Sequence, residues 1–588
     1  MRLCSSFSPL LMLILVLFSF SLLAATDTYI FQLETNFDQG VLSASERVEY
    51  FNNSSEVLNE IRFRLDFNLN LADSMQILSV KDGEGKELSW HYVSAAFGTL
   101  SSEKGQMVVE LNRPLEAGGV VELRIDYQLE GESFLGLDMT VLPDDPYLSF
   151  DAWYPKAMTF RAGGWSVDDD RLADYEVAIV VPSELVIAST GKVIEERRIE
   201  DGRVKFLLRA SDVRGFSMYG CRLWAVHSRV AEGVEIRCYI TKDQNQWAER
   251  FLDAAGEAIA YYSSRYGEYP KDHLSIVCPP AAPGQGSGAF TACNVIGVLL
   301  GGRLEEQYLW LVAHEVAHQY FSVSISQPRD EIPWILVGLG MVMDRHYLLD
   351  CGLGDDWHRM MVQFYPRVEN EGRDTTLVQP VSDLMRAEPP WSFQWNLALS
   401  HGKAFAVCAL LEDLLGEERF RGVLQKIISE QAGGMISASD LITYCEEAYG
   451  GDLSWFATDW IEGNATLNYA VTGVHNVESG WEVEVSQLGS AAFPVFVEAQ
   501  TESGDTLRQR VSREEKLTRL SFESEELLTS VVVAPGGIYP DIDPSDNTWL
   551  SEKGQPADAT EGRTPLLGRI ALATALIGCL LLLVLLGS

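Results

Sequence analysis

Positive charge is scarce in this chain. Its 588 residues hold 45 Lys and Arg against 84 Asp and Glu, a formal net charge of −39, which argues against nucleic acid as a partner because a polyanion is repelled at long range. Anionic lipid surfaces are disfavoured for the same reason. Cysteine is scarce too. Of nine in the chain, the seven outside the terminal apolar segments are Cys221, Cys238, Cys278, Cys293, Cys351, Cys408 and Cys445. Their odd number and wide spacing supply neither a zinc knuckle nor a dense disulfide framework, although one or two bridges of unspecified pairing have room to form. Internal repeats and low-complexity tracts are missing. What is present is a foldable composition, 47% hydrophobic and 22% charged, in a chain long enough for about three or four domains.

The two ends carry long apolar runs. Arg2, an apolar stretch over residues 10–23 and the small residues Ala24 and Ala25 have the order of a secretory signal at residues 1–25. Residues 570–586 contain no charge, and at ~1.5 Å per residue they can just cross a hydrocarbon core of roughly 30 Å. The expectation is an exported protein anchored to the outer face of the cell membrane by a C-terminal transmembrane helix (570–588), with 548–569 as a polar tether.

Between the ends, periodicity separates three regions. Over 26–210 it is mostly two: Ile61, Phe63, Leu65 and Phe67 alternate with Arg62, Arg64 and Asp66, which predicts an N-terminal antiparallel β saddle or sandwich. Over 211–465 helical spacing dominates, as in Trp247, Phe251, Ala255, Ile259 and Tyr262. The short strand LSIVC, the Gly-rich stretch PGQGSGAF and the strand NVIGVLL precede a further helix, an order suited to an α/β peptidase cleft whose edge strand pairs with an extended substrate. Over 466–547 period two returns and predicts a C-terminal β-sandwich. The fold class expected is therefore α+β and multidomain.

The stretch around which the rest is arranged reads His-Glu-Val-Ala-His, at residues 314–318 inside LWLVAHEVAHQYF. Histidines at i and i+4 share one helix face and can aim two imidazoles at one metal ion, while the intervening Glu315 can activate a metal-bound water. His314 and His318 are thus candidate zinc ligands and Glu315 the candidate general base. A catalytic zinc needs a third protein ligand and an open position.

Together with YYSSRYGEYP and LSWFATDWIEG, HEVAHQYF makes the chain similar to the membrane alanyl aminopeptidase and leukotriene-hydrolase family of gluzincin metallopeptidases, over residues 27–464. The resemblance implies a thermolysin-like α/β catalytic domain with a helical lobe behind the β saddle. It also implies a third zinc ligand, a glutamate in a Pro-Trp-Leu-x-Glu-Gly context; Pro333, Trp334 and Gly338 keep the register, and the ligand position is Val337. The family's amine-anchoring Gly-Ala-Met-Glu-Asn motif falls on Gly288, Ala289, Phe290, Thr291 and Ala292, so that its glutamate is Thr291. Its transition-state tyrosine falls on His401.

Two readings follow from these replacements. In one, the fold is a degenerate metallopeptidase that binds a peptide or protein ligand. In the other, His401 completes a rebuilt zinc site with His314 and His318, leaving Glu315 as base. Asp344 and His346 lie about two turns beyond Val337, displaced by ~10 Å along a helix, which makes them weaker substitutes.

Overall fold

The computed structural model describes residues 26–551 apart from 37–39, 71–73, 98–99, 131–146, 151, 169–170, 200–201, 281–287, 302–304, 330, 371 and 387–396. The chain divides into two units that meet at residues 220 and 221.

The first unit is built from sheets. Its largest has seven strands, with Asp27–Asn36 between Ala173–Pro182 and Val41–Phe51 and with Val120–Glu130 beyond them. The pairings around it are antiparallel except that of Asp27–Asn36 with Ala173–Pro182, which is parallel. A four-stranded sheet contains Leu58–Arg64, the segment whose alternation was plainest in the sequence. One face of the large sheet buries a cluster of rings: Phe31 lies 4.6 Å from Trp153 and Tyr29 lies 5.1 Å from Tyr175, centroid to centroid.

Within this unit Glu46 is 1% exposed, and neither its carboxyl oxygens nor the nearby buried Tyr127 hydroxyl has a hydrogen-bond partner among the described residues. Burial pushes the Glu46 carboxyl well above its ordinary value, because an ion loses more solvation than an acid does.

The second unit begins with a five-stranded sheet in the order β1-β2-β3-β5-β4. Its strands are β1 (Trp224–Ala231), β2 (Val234–Thr241), β3 (His273–Val277), β4 (Gly288–Ala292) and β5 (Val295–Leu299). The central pairings are parallel, so β2 and β3 need a crossover; helix α1 (Ala248–Arg265) supplies it and buries Phe251, Ala255, Ile259 and Tyr262, the stripe its sequence spacing predicts. The stretch from Gly288, read from sequence as the end of a Gly-rich loop, is the edge strand β4, antiparallel to β5.

After the sheet come helices α2 (Glu305–Tyr320), α3 (Trp334–Asp350), α4 (Asp356–Asn370), α5 (Ala404–Leu415), α6 (Glu417–Glu430) and α7 (Ala438–Tyr449). Helix α3 is apolar along most of its length and is buried on nearly every face, as expected of a helix at the centre of a lobe. A Cβ at Gly338 would stand 2.6 Å from both the Ala404 carbonyl oxygen and Cys408 Sγ. Glycine there lets the backbones of α3 and α5 approach. Two sheets of three and four strands close the chain, one starting at Tyr469–Val477 and the other ending at Thr548–Leu550. Arg510 fastens them to the helices by bonding both the carboxylate and the carbonyl of Asp413 at the end of α5.

One expectation is corrected. No helix among the described residues is long and apolar enough to cross a membrane, so export with C-terminal membrane anchoring is not upheld. Residues 1–25 and 552–588, on which that expectation fell, lie outside the described residues. The seven cysteines between them are all free thiols.

The folded first unit holds a proton on Glu46 that the unfolded chain releases above about pH 4.5, so the wild type loses stability as pH rises past that value. Replacing Glu46 with Gln removes the ionisation. Urea midpoints are therefore expected to favour Glu46→Gln over wild type by a margin that grows between about pH 5 and pH 8; a margin independent of pH would contradict this account.

Candidate functional site

Helix α2 presents His314 and His318 one turn apart, and both are buried, at 4% and 7% exposure. Their Nε2 atoms stand 3.0 Å apart. Two ligands of a tetrahedral zinc, each ~2.0–2.1 Å from the metal, would be separated by roughly 3.3 Å. The pair is therefore spaced for one small cation.

The outward nitrogens explain why the pair points inward. His314 Nδ1 lies 2.7 Å from Asp344 Oδ2, and His318 Nδ1 lies 3.3 Å from the Phe321 carbonyl and 3.2 Å from Ser322 Oγ. A carboxylate and a carbonyl can only accept, so each draws a proton onto Nδ1 and leaves Nε2 as a bare lone pair. Two lone pairs facing each other at this separation repel unless a proton or a metal ion lies between them. The outer partners thus prepare both imidazoles for a cation.

Asp344 was expected to be at most a displaced substitute ligand; it is instead the outer support of His314. It also accepts a hydrogen bond from His358 Nε2 through its other oxygen, and both residues are fully buried. Burial alone would raise the Asp344 carboxyl, but the His358 and His314 imidazoles hold it below its ordinary value. For His314, burial disfavours the proton and the Asp344 bond outweighs it, giving a net upward shift. His318 is pushed well below its ordinary value, first by burial and then by unfavourable electrostatics with the neighbouring His314 and His401 rings. Glu315 is 5% exposed, and burial pushes it up to about 7, with His314 opposing and Asp344 reinforcing. That is a range suited to proton transfer near neutrality.

Helix α3 runs alongside, and two contacts fix its register against α2. Asp344 reaches His314, and a Cβ at Gly340 would lie 3.7 Å from His318 Cε1. Val337 is one turn before Gly340 on the same i, i+3, i+7 stripe, and is 7% exposed. An isopropyl group therefore occupies this buried position on the α3 stripe, one turn from Gly340. Valine has no lone pair to offer.

His401 sits in a π-helical turn, Leu397–Lys403. Its ring centroid is 6.1 Å from that of His314, and its Nδ1 is 2.9 Å from Ser400 Oγ. Lys403 ties this turn down: its buried ammonium bonds both Asp374 oxygens at 3.0 and 3.1 Å and the Thr375 carbonyl at 2.7 Å. No group of three or more His, Cys, Asp or Glu side chains among the described residues is placed to hold a metal. His314 and His318 are the two described side chains whose facing nitrogens suit a zinc ion. His346 is turned elsewhere, bonding the Tyr266 hydroxyl and pairing with Glu412.

Of the predicted substrate residues, Gly288, Ala289, Phe290 and Thr291 all lie on β4, with register Gly288↔Leu299 through Thr291↔Ile296. Phe290 covers Gly297 so closely that a Cβ there would be 2.0 Å from the ring. Thr291 accepts a 2.7 Å hydrogen bond from Gln319 Nε2. Gln319 also donates to the Ala292 carbonyl at 3.1 Å and accepts from the Asn294 amide at 3.0 Å. This glutamine, immediately after the second histidine, pins the edge hairpin to the metal helix. Neither it nor His358 was singled out in the sequence.

With this geometry in view, the family comparison is specific. The peptidase family M1 domain matches residues 299–460. This match and the relatives support, at low identity, an aminopeptidase-type gluzincin of family M1. The chain is 25% identical over 310 residues to the Tricorn protease-interacting factor F2 of Thermoplasma acidophilum, covering 49% of this chain and 37% of that protein. It is 25% identical over 230 residues to probable aminopeptidase 1 of Sulfurisphaera tokodaii (36% and 28%), and 22% identical over 335 residues to aminopeptidase M1-C of Oryza sativa subsp. japonica (52% and 36%). The chain spans about a third of the length of these relatives.

Gln319→Leu removes three hydrogen bonds from a fully buried side chain. The expected cost is about 1–3 kcal/mol of stability, with faster amide exchange at residues 291–294. Unchanged exchange there would show that the hairpin is held by other means.

Proposed function

We propose that this is an M1-family protein whose hydrolytic chemistry has lapsed and which binds a peptide or protein ligand. The observation that carries the reading is Val337, a buried apolar side chain on α3 one turn before Gly340, where a Cβ would stand 3.7 Å from His318 Cε1. Loss of an outer partner of a metal ligand typically costs ~10–100-fold in affinity or activity, and loss of a ligating carboxylate costs more. The replacements at Thr291 and His401 point the same way.

The ligand class is supported by the edge strand β4, whose outer side pairs with no strand among the described residues and can take an extended chain. The relatives' names agree, since they are aminopeptidases and a factor that interacts with the Tricorn protease. Among the residues of this site, Glu315 is the base that a reactivated enzyme would use, and zinc is the metal that His314 and His318 suit.

A second reading is favoured by one observation, the 6.1 Å separation of the His401 and His314 rings. In it His401 supplies the third donor and zinc hydrolysis survives. Thr291 cannot pair with an ammonium group, so this enzyme would act on blocked or internal bonds in preference to free N-termini.

The test is hydrolysis of free and N-terminally blocked peptides with added zinc. Wild type is expected to cleave neither, while Val337→Glu is expected to bind zinc more tightly by over ~100-fold. Chelator-sensitive cleavage by wild type that Glu315→Gln abolishes would overturn the first reading; zinc affinity unchanged by His401→Ala would remove the second.

A further inference from the structure

Asp344 is shared. One carboxylate oxygen accepts a hydrogen bond from His314 Nδ1 and the other accepts one from His358 Nε2, in surroundings where both Asp344 and His358 are 0% exposed. His358 comes from α4, away from both α2 and α3, and packs 5.1 Å from the Phe405 ring at the start of α5. Its remaining nitrogen, Nδ1, is buried and has no hydrogen-bond partner among the described residues. A proton on Nδ1 would be a buried orphan donor, so the His358 proton belongs on Nε2, where it is donated to Asp344.

A carboxylate held by one donor can swing about its Cβ–Cγ bond; held at both oxygens by groups on different helices, it cannot. We propose that His358 is a positioning residue for the cation site, acting through Asp344 to fix the plane of the carboxylate and with it the ring and tautomer of His314. His358 touches neither the facing Nε2 pair nor any ligand. Its effect is to keep the His314 Nε2 lone pair aimed at His318. The inference rests on the reading of His314 and His318 as a two-imidazole cation site that lacks its third donor. It adds that the frame behind that site extends to a residue outside both α2, which carries the pair, and α3, which carries Asp344.

Two readouts on the full chain separate this inference from the reading on which it rests. In metal-free protein, histidine-selective ¹⁵N labelling reports ring tautomers, and the chain has only nine histidines to assign. Wild-type His314 is expected as the Nδ1–H form. His358→Phe is expected to mix the two tautomers of His314, and His358→Gln, whose amide reaches the place of Nε2, is expected to restore the single form. His358→Asn, with its donor one bond short, is expected not to. The second readout is zinc affinity in the Val337→Glu background, where His358→Phe is expected to weaken binding by about 10-fold and His358→Gln to recover it.

Should Val337→Glu fail to bind zinc, the two-imidazole reading fails, and the tautomer spectra still decide the role of His358. Should His358→Phe unfold the protein, the contrast between Gln and Asn at this position decides it. A His314 tautomer that is the same in all folded variants overturns the proposal.

Discussion

Both imidazoles of the helix signature have an oxygen behind them. The Asp344 carboxylate and the Phe321 carbonyl face the outer nitrogens of His314 and His318, and this arrangement leaves the inner nitrogens, 3.0 Å apart, with nothing but lone pairs to present. Much of the second unit serves that geometry. Helix α3 must lie close enough for Asp344 to reach across, and Gly340, where a Cβ would stand 3.7 Å from His318 Cε1, is the glycine of α3 that faces α2. The hairpin of β4 and β5 is held to the same helix by Gln319. The π-helical turn carrying His401 is anchored by Lys403 to Asp374 and Thr375.

Against this preserved frame the missing donor is a local change. A carboxylate buried on α3 without a metal would be costly, because removing an ion from water is unfavourable unless it is paired. Valine at the same position packs into the lobe, and burying such a side chain stabilises by about 1.5–3 kcal/mol. On the proposed reading, valine here gives up grip on a cation and gains stability of the apo fold, the direction expected when selection for catalysis relaxes. The frame outlasts the ligand because its parts are also packing parts. Asp344 and His358 satisfy one another in the core, Gln319 satisfies groups of the β4–β5 hairpin, and a change in any of them would leave a buried polar group without a partner.

Much of this was legible in the sequence and some was not. The alternation at Ile61, Phe63, Leu65 and Phe67 marked a strand, and the stripe on α1 marked a helix, because both periodicities report one buried face. The spacing of His314 and His318 marked the cation pair because a helix turn fixes it. The strand β4 was hidden by its glycines, which read as a loop; Gly297 beneath Phe290 is a cross-strand contact that no local pattern announces. Asp344 was judged by its distance along α3 from Val337, and its bond to His314 depends on how α3 crosses α2, which periodicity does not encode. His358 lies forty residues beyond the signature, and only packing in three dimensions brings it to Asp344. The apolar runs at the two ends suggested a membrane protein, yet no helix among the described residues is long and apolar enough to cross a membrane.

The central claim is that two imidazoles, however well oriented, hold zinc too weakly without a third donor from this chain. Metal analysis of the purified wild-type protein after exhaustive dialysis measures it most directly. The account predicts well under one equivalent of zinc per chain; retention of close to one equivalent would contradict it.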